Sequence, residues 1–308
     1  MRLFVAITDA DWYRYLSRIN PDEVNFWQPS ASTQFRALEP GEPLLFKLHS
    51  PDDYIVGGGF FSHFTILPVS FVWNAFGEKN GASSEQEMRL RVEKYRHRTV
   101  QTEPTDYLLG CILLQAPFFF DRKDWIPLTS WAKSIVRGKG YTTDQQEGAR
   151  LWEQIQQRLV GTRLESVISE AAIAEQRFGK PLTVLPRLGQ GAFRVIVTDG
   201  YNRQCALTGS HVLHVLDAAH IKPYSLGGTH EPTNGILLRQ DVHTLFDRGY
   251  VTVTPEYRVE ISQRIKEEFD NGKEYYALHG AQVHLPVPPP LRPLREHLVW
   301  HNEHVFRP

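Results

Sequence analysis

The stretch Cys205–Tyr250, CALTGSHVLHVLDAAHIKPYSLGGTHEPTNGILLRQDVHTLFDRGY, decides how the C-terminal part of the chain is read. LDAAHI is a short apolar run ending in a histidine. SLGGTHEPTNG is dense in Gly, Pro, Thr and Asn, ILL is apolar again, and RQDVHTLFDRG has helical spacing. The pattern predicts two strands joined by a polar loop and followed by a helix. It puts His220 on the first strand, Asn234 at the mouth of the second and His243 on the helix. His243 stands nine positions after Asn234, enough for a short strand, a tight connection and a first helical turn, so a helix crossing the hairpin returns His243 over His220.

These residues carry a resemblance. AAHIKP, NGILL and DVHTLFD, in that order and in that strand, strand, helix context, resemble the HNH or ββα-metal nuclease family. The resemblance implies that His220 is a general base, that Asn234 holds the loop and orients His220, and that His243 binds one divalent cation, Mg2+ or Mn2+. The chemistry is coherent on its own terms. Hydrolysing a phosphodiester needs a water deprotonated near neutral pH, which suits an imidazole. It also needs a cation to neutralise charge on the phosphate and the departing oxygen. A single buried histidine is more often a hydrogen-bonded core residue, but a constellation in its expected context is a stronger signal than any member alone.

Two positions depart from the family pattern. The residue before the base, often a second ligand, is Ala219. Asp217 is the nearest substitute, with a strand-end cap or salt-bridge partner as its ordinary role. On an extended strand Asp217 and Ala219 share the face opposite His220, so Asp217 reaches the metal only if the strand bends or bulges. His214 and Asp247 are weaker candidates. Cys205 is followed by Ala206, Leu207 and Thr208, and the only other cysteine is Cys111, so a structural zinc held by four cysteines is excluded by count. Apolar packing is expected to hold this hairpin.

A length of 308 residues implies two domains at about 150 residues each. The boundaries read from the chain are 1–145, a helical connector over 146–185, and 186–308. A net charge of −1 argues against indiscriminate coating of nucleic acid, while local phosphate contacts remain open. The basic stretches are RLRVEKYRHR, containing Arg89 and Arg91, and WAKSIVRGKGY, containing Lys133 and Arg137. They are candidates for DNA-backbone contact, with a solvated helix face as the alternative. No apolar run is long enough for a membrane span, and the N-terminus lacks a signal-peptide profile because Asp9 and Asp11 interrupt its apolar run. Two cysteines fit a reducing bacterial cytoplasm.

The first ~145 residues read as a small mixed barrel of short strands with helices. RLFVAIT is strand-like, and DADWYRYL is a short helix capped by Asp9 or Asp11. YIVGGGFFSHFTILPVSFVWNAF and DYLLGCILLQAPFFF are strand-like, with Gly57–Gly59 marking a bulge or close backbone approach. GAFRVIVTDGYNRQC is ambiguous between strand and helix and is assigned helix. The fold class expected is α+β: a mixed β-barrel, a helical connector and a ββα-metal domain.

The opening strand followed by an acidic residue and Trp12, together with Trp27 in FWQPS, PGEPLLFKLH, YIVGGGFF and Trp73, resembles the PUA-like superfamily and within it the EVE domain. The resemblance implies that a modified cytosine is flipped from double-stranded DNA into an aromatic pocket, where stacking contributes about 1–3 kcal/mol per base. Candidate pocket residues are Trp12, Trp27, Ser32, Phe35 and Trp73, although any one aromatic is more often core. The sum is a modification-dependent restriction endonuclease, acting as a homodimer or by sequential nicking. The alternative is a non-cleaving protein that reads modified RNA or DNA and keeps a degenerate HNH clamp.

Overall fold

The computed structural model describes residues 1–96, 105–128, 131–132, 134–135, 137–160 and 188–308. The chain divides into two compact units, Met1–Gly189 and Gln190–Pro308.

The first unit is built on a mixed sheet. Its strands are β1 (Arg2–Thr8), β2 (Glu23–Gln28), β3 (Pro43–Leu48), β4 (Tyr54–Pro68), β5 (Leu108–Phe119), β6 (Ile126–Pro127) and β7 (Gly138–Thr142). The order is β2-β5-β4-β3-β1-β7, with β6 on β4. The β1–β3 pair is parallel. Among the described residues the two ends of this order, β2 and β7, do not pair with each other.

Local chemistry explains the elements. Helix α1 (Ala10–Ile19) starts where the Asp9 carboxylate accepts from the backbone N–H groups of Asp11 and Trp12, a cap worth about 1 kcal/mol. It buries Trp12, Tyr13 and Leu16. The glycine run in β4 serves close approach: a Cβ on Gly57 would lie 2.2 Å from the Phe118 carbonyl oxygen, and the β4–β5 register shifts between Gly58 and Phe60. The sequence from Tyr54 to Phe76, read as one strand-like run, divides at Pro68. Val69–Phe76 is helix α2, burying Val69, Phe71, Val72 and Phe76. Helix α3 covers Glu85–Tyr95.

Helix α4 (Gln146–Leu159), the first part of the expected connector, packs into this unit's core. Its Leu151, Ile155 and Leu159 join Leu3, Val5 and Ile55. The remainder of the connector, 161–185, lies outside the described residues.

The second unit opens with helix α5 (Gln190–Gly200), the conformation assigned to that ambiguous stretch. A two-stranded antiparallel hairpin follows, β8 (Leu216–His220) and β9 (Gly235–Arg239), then helix α6 (Gln240–Asp247). β10 (Val251–Val253) pairs with β11 (Val259–Ile261), and α7 (Arg264–Phe269) and α8 (Arg295–His304) complete the unit. Its core contains Phe193 from α5, Leu216 and Ala219 from β8, Ile236, Leu237 and Leu238 from β9, and Val242 and Phe246 from α6. The buried Cys205 thiol accepts from the N–H groups of Thr208 and Arg239, tying the approach to β8 onto the end of β9. No described helix is long and apolar enough to cross a membrane.

Candidate active site

His220 ends β8 and His243 lies on α6. Both line one cleft of about 240 Å3, together with Tyr224, Asp247, His301 and Val305. The His220 ring stacks on the buried Phe193 ring, with centroids 4.0 Å apart and planes inclined by 11°. Its Nε2 lies 2.9 Å from His230 Nδ1, and the His230 ring stacks on Tyr224 at 4.4 Å. The base candidate is therefore fixed by a ring face on one side and a second imidazole at its edge.

Asn234 is fully buried. Its Oδ1 accepts from the Lys222 N–H, and its Nδ2 donates to the Lys222 and Thr229 carbonyls, all at 2.9–3.0 Å. One side chain thus fastens both ends of the loop that carries Tyr224 and follows His220. Gly228 permits this closure, because a Cβ there would lie 2.0 Å from the Lys222 carbonyl oxygen.

Asp217 meets His243 directly, with Oδ2 3.1 Å from Nδ1, while its Oδ1 lies 3.5 Å from Arg194 Nε. The bulge expected for this contact is absent. β8 pairs with β9 in unbroken register from Leu216↔Arg239 to His220↔Gly235. Asp217 is half-buried and reaches His243 on α6, whereas Ala219 is fully buried in the core. A ligand side chain at position 219 would point into that core. His243 Nε2 lies 3.4 Å from Asp247, one helical turn later. His214 sits on the exposed turn before β8.

The electrostatics divide the two histidines. Burial, reinforced by the charges of His230 and His243, pushes His220 down to about 4, so it is neutral near pH 7 and able to accept a proton. Burial also disfavours charge on His243, but the Asp217 hydrogen bond and the Asp247 and Asp217 charges outweigh it and raise that imidazole. Asp217 is lowered overall: burial opposes its ionisation, and the His243 bond and Arg194 charge prevail. Asp247 is raised, chiefly by burial.

Asp217 and His243 suit a hard divalent cation in donor chemistry and in spacing. One carboxylate oxygen and one imidazole nitrogen 3.1 Å apart have the separation of two adjacent ligands each about 2.1 Å from a shared octahedral ion. Among the described residues no three His, Cys, Asp or Glu side chains form a complete metal cage. Magnesium-like ions keep several waters, so two protein donors fit that class. Asp247, at the opposite ring nitrogen, would act on such a site through His243.

The N-terminal candidates fare differently. Trp12 is 2 % exposed, with the Phe26 and Phe46 rings against it edge to face, and is a core residue rather than a pocket wall. Trp27 and Phe35 are half-buried against the same cluster, with Trp27 Nε1 donating to the Asn80 carbonyl. Ser32 is exposed and its hydroxyl meets that of Ser30. Trp73 is half-buried on α2.

Arg89 and Arg91, read as DNA-backbone contacts, are held inside their own unit. Arg89 pairs with Glu85 and reaches the Thr105 carbonyl, and Arg91 pairs with Glu87 and reaches the Gly81 carbonyl. Arg137 is exposed, 3.4 Å from Thr33 Oγ1. Lys133 lies outside the described residues.

The sequence reading missed His230 and Arg194. The signal for His230 was present, a further histidine in the loop between His220 and Asn234. Arg194 gives no comparable signal, since one arginine in an otherwise apolar helix has no distinguishing spacing.

Residues 205–254 match the HNH_2 family model, an HNH endonuclease family, and the matched segment holds β8, β9 and α6. No curated protein matches the chain. Among solved structures, an ASCH mutant protein from Zymomonas mobilis aligns at 8 % identity over 50 % of this chain and 95 % of that one, with a TM-score of 0.32. The ASCH protein itself aligns at 13 % identity over 43 % and 88 %, with a TM-score of 0.27. A modification-dependent restriction endonuclease, TagI, aligns at 12 % identity over 92 % of this chain and 75 % of that one, with a TM-score of 0.27.

Proposed function

We propose that the chain is a divalent-cation-dependent DNA endonuclease in which Gln190–Pro308 cuts and Met1–Gly189 reads a modified cytosine. The cutting half rests on one observation: His220, neutral and ring-stacked, shares a cleft with His243, and His243 is 3.1 Å from Asp217. The HNH family match over the same residues supports it.

In this reading His220 takes a proton from the attacking water. Asn234 keeps the following loop closed, and Asp217 and His243 would hold the cation, with Asp247 at the other nitrogen of His243. A bound Mg2+ or Mn2+ supplies charge neutralisation at the scissile phosphate and the departing oxygen. The non-cleaving alternative drew its support from Ala219. Asp217 beside His243 supports the cleaving reading instead, as a proposed substitute for the ligand missing at Ala219.

The reading half rests on the EVE-like sequence pattern of the first unit. With Trp12 assigned to the core, Trp27, Phe35, Ser32 and Trp73 are the proposed pocket residues for a flipped base. One cutting site per chain makes a double-strand break the work of two copies or of successive nicks.

One plasmid, prepared unmodified, with 5-methylcytosine and with 5-hydroxymethylcytosine, tests both halves when incubated with Mg2+, Mn2+ or EDTA. Cutting confined to modified DNA and abolished by EDTA is expected. Equal cutting of all three forms removes the modified-base reader and leaves the nuclease.

A further inference from the structure

Two imidazoles, one lining the cleft and one behind it in the loop, each lie flat on an aromatic ring, and only the first belongs to the set read from sequence. His220 lies flat on Phe193, itself 1 % exposed, and His230 lies flat on Tyr224 with planes 3° apart. The two imidazoles meet edge to edge through His220 Nε2 and His230 Nδ1 at 2.9 Å. A hydrogen bond between neutral imidazoles needs one ring to donate and the other to accept, so this contact couples their tautomers. If His230 donates, the neutral His220 ring carries its own proton on Nδ1, and neither of its nitrogens has a lone pair free for water. If His220 donates from Nε2, its Nδ1 lone pair is free, and Nδ1 has no hydrogen-bond partner among the described residues. Only the second arrangement is compatible with a base.

We propose that His230 is a positioning residue for His220, accepting its Nε2 proton and so making Nδ1 the nitrogen that deprotonates the attacking water. This rests on the nuclease reading of the same cleft. The step balances as an ordinary hydrolysis. One O–H bond of water breaks as its proton passes to His220 Nδ1, and the freed electron pair forms the new P–O bond. The P–O3′ bond breaks with its pair going to O3′, which takes a proton from solvent. His220 leaves the step as an imidazolium whose Nε2–H still points at His230, so the charge formed on the base keeps its hydrogen-bond acceptor. Tyr224 enters as the stacking partner that sets the plane of His230, which explains an aromatic ring 62 % exposed at the lip of the cleft.

The test uses the full chain and two readouts. Nitrogen-15 histidine NMR of the metal-free protein is expected to find His220 protonated on Nε2 with a pyridine-type Nδ1. His230→Ala is expected to turn that into a mixture of tautomers. In Mg2+-dependent cleavage, His230→Ala should lower kcat by roughly 10–100-fold at unchanged KM, taking the range for lost partners of metal-bound histidines as the guide. His230→Gln, whose amide oxygen can accept from Nε2–H, should recover most of the loss, whereas a merely structural defect would not respond to an acceptor.

A His220 protonated on Nδ1 in the wild type, or a His230→Ala protein with wild-type kcat, overturns the proposal while leaving the nuclease in place. A wild type that cuts no DNA under any of the plasmid conditions overturns the nuclease reading and this assignment with it.

Discussion

Asp217 Oδ2 lies 3.1 Å from His243 Nδ1, joining a short strand to the helix that follows the hairpin and leaving His243 Nε2 to Asp247. This carboxylate–imidazole–carboxylate line gives the three residues different weights. Replacing His243 or Asp217 by alanine would remove one of the two proposed ligands, and Mn2+ binding followed by electron paramagnetic resonance should then weaken by more than the roughly 10–100-fold typical of an outer partner. Asp247→Asn should fall within that outer range. An unchanged Mn2+ affinity in His243→Ala would place the ion elsewhere.

Asn234 makes its three hydrogen bonds from a fully buried position. Asn234→Ala strands the Lys222 and Thr229 backbone groups, at about 1–3 kcal/mol for buried polar groups left unpaired. Urea denaturation should register that loss, and amide exchange across residues 222–229 should quicken. Unchanged exchange in that loop would show that the fastening lies elsewhere.

His301 carries a pH dependence. Its Nε2 donates to the Phe246 carbonyl, so its Nδ1 accepts from the Thr252 hydroxyl and the ring is neutral. Burial pushes it down to about 4. The unfolded chain, with His near 6.5, binds the proton that the folded chain refuses between these values, so stability is fully present above about 6.5 and falls as pH drops toward 4. One such histidine contributes on the order of 3 kcal/mol across the window. His220, also held near 4, adds to the same slope. Denaturant midpoints between pH 7 and 4.5 should fall steadily in the wild type, and less steeply in His301→Phe; equal slopes would remove His301 from the account.

In the first unit, Gly57→Ala drives a methyl group against the Phe118 carbonyl oxygen. The strands must separate, at about 1–3 kcal/mol or more for overpacking. Thermal unfolding should report that loss, and a stable Gly57→Ala protein would contradict the close approach.

The hairpin and its helix were legible because their signals are local: apolar runs bounded by Gly, Pro and Asn, then helical spacing. What lay beyond the sequence was tertiary. Strict alternation set Asp217 against His220 and demanded a bend or bulge, whereas the five-residue strand keeps regular register with Asp217 in contact with His243 on α6. His230 looked like loop composition until the loop folded back onto His220. Trp12 has the size and polarity of a base-stacking ring, and two phenylalanines enclose it. The ion pairs of Arg89 and Arg91 were readable, since Glu85 and Glu87 stand four residues before each, the spacing of intrahelical pairs.

The central claim, that this cleft cuts DNA with His220 as its base, is tested most directly by supercoiled 5-methylcytosine and 5-hydroxymethylcytosine plasmids incubated in Mg2+ with wild type and with His220→Ala. Nicked and linear products from the wild type alone, with DNA binding retained by His220→Ala, is the predicted result. A His220→Ala protein that cuts at the wild-type rate would contradict it.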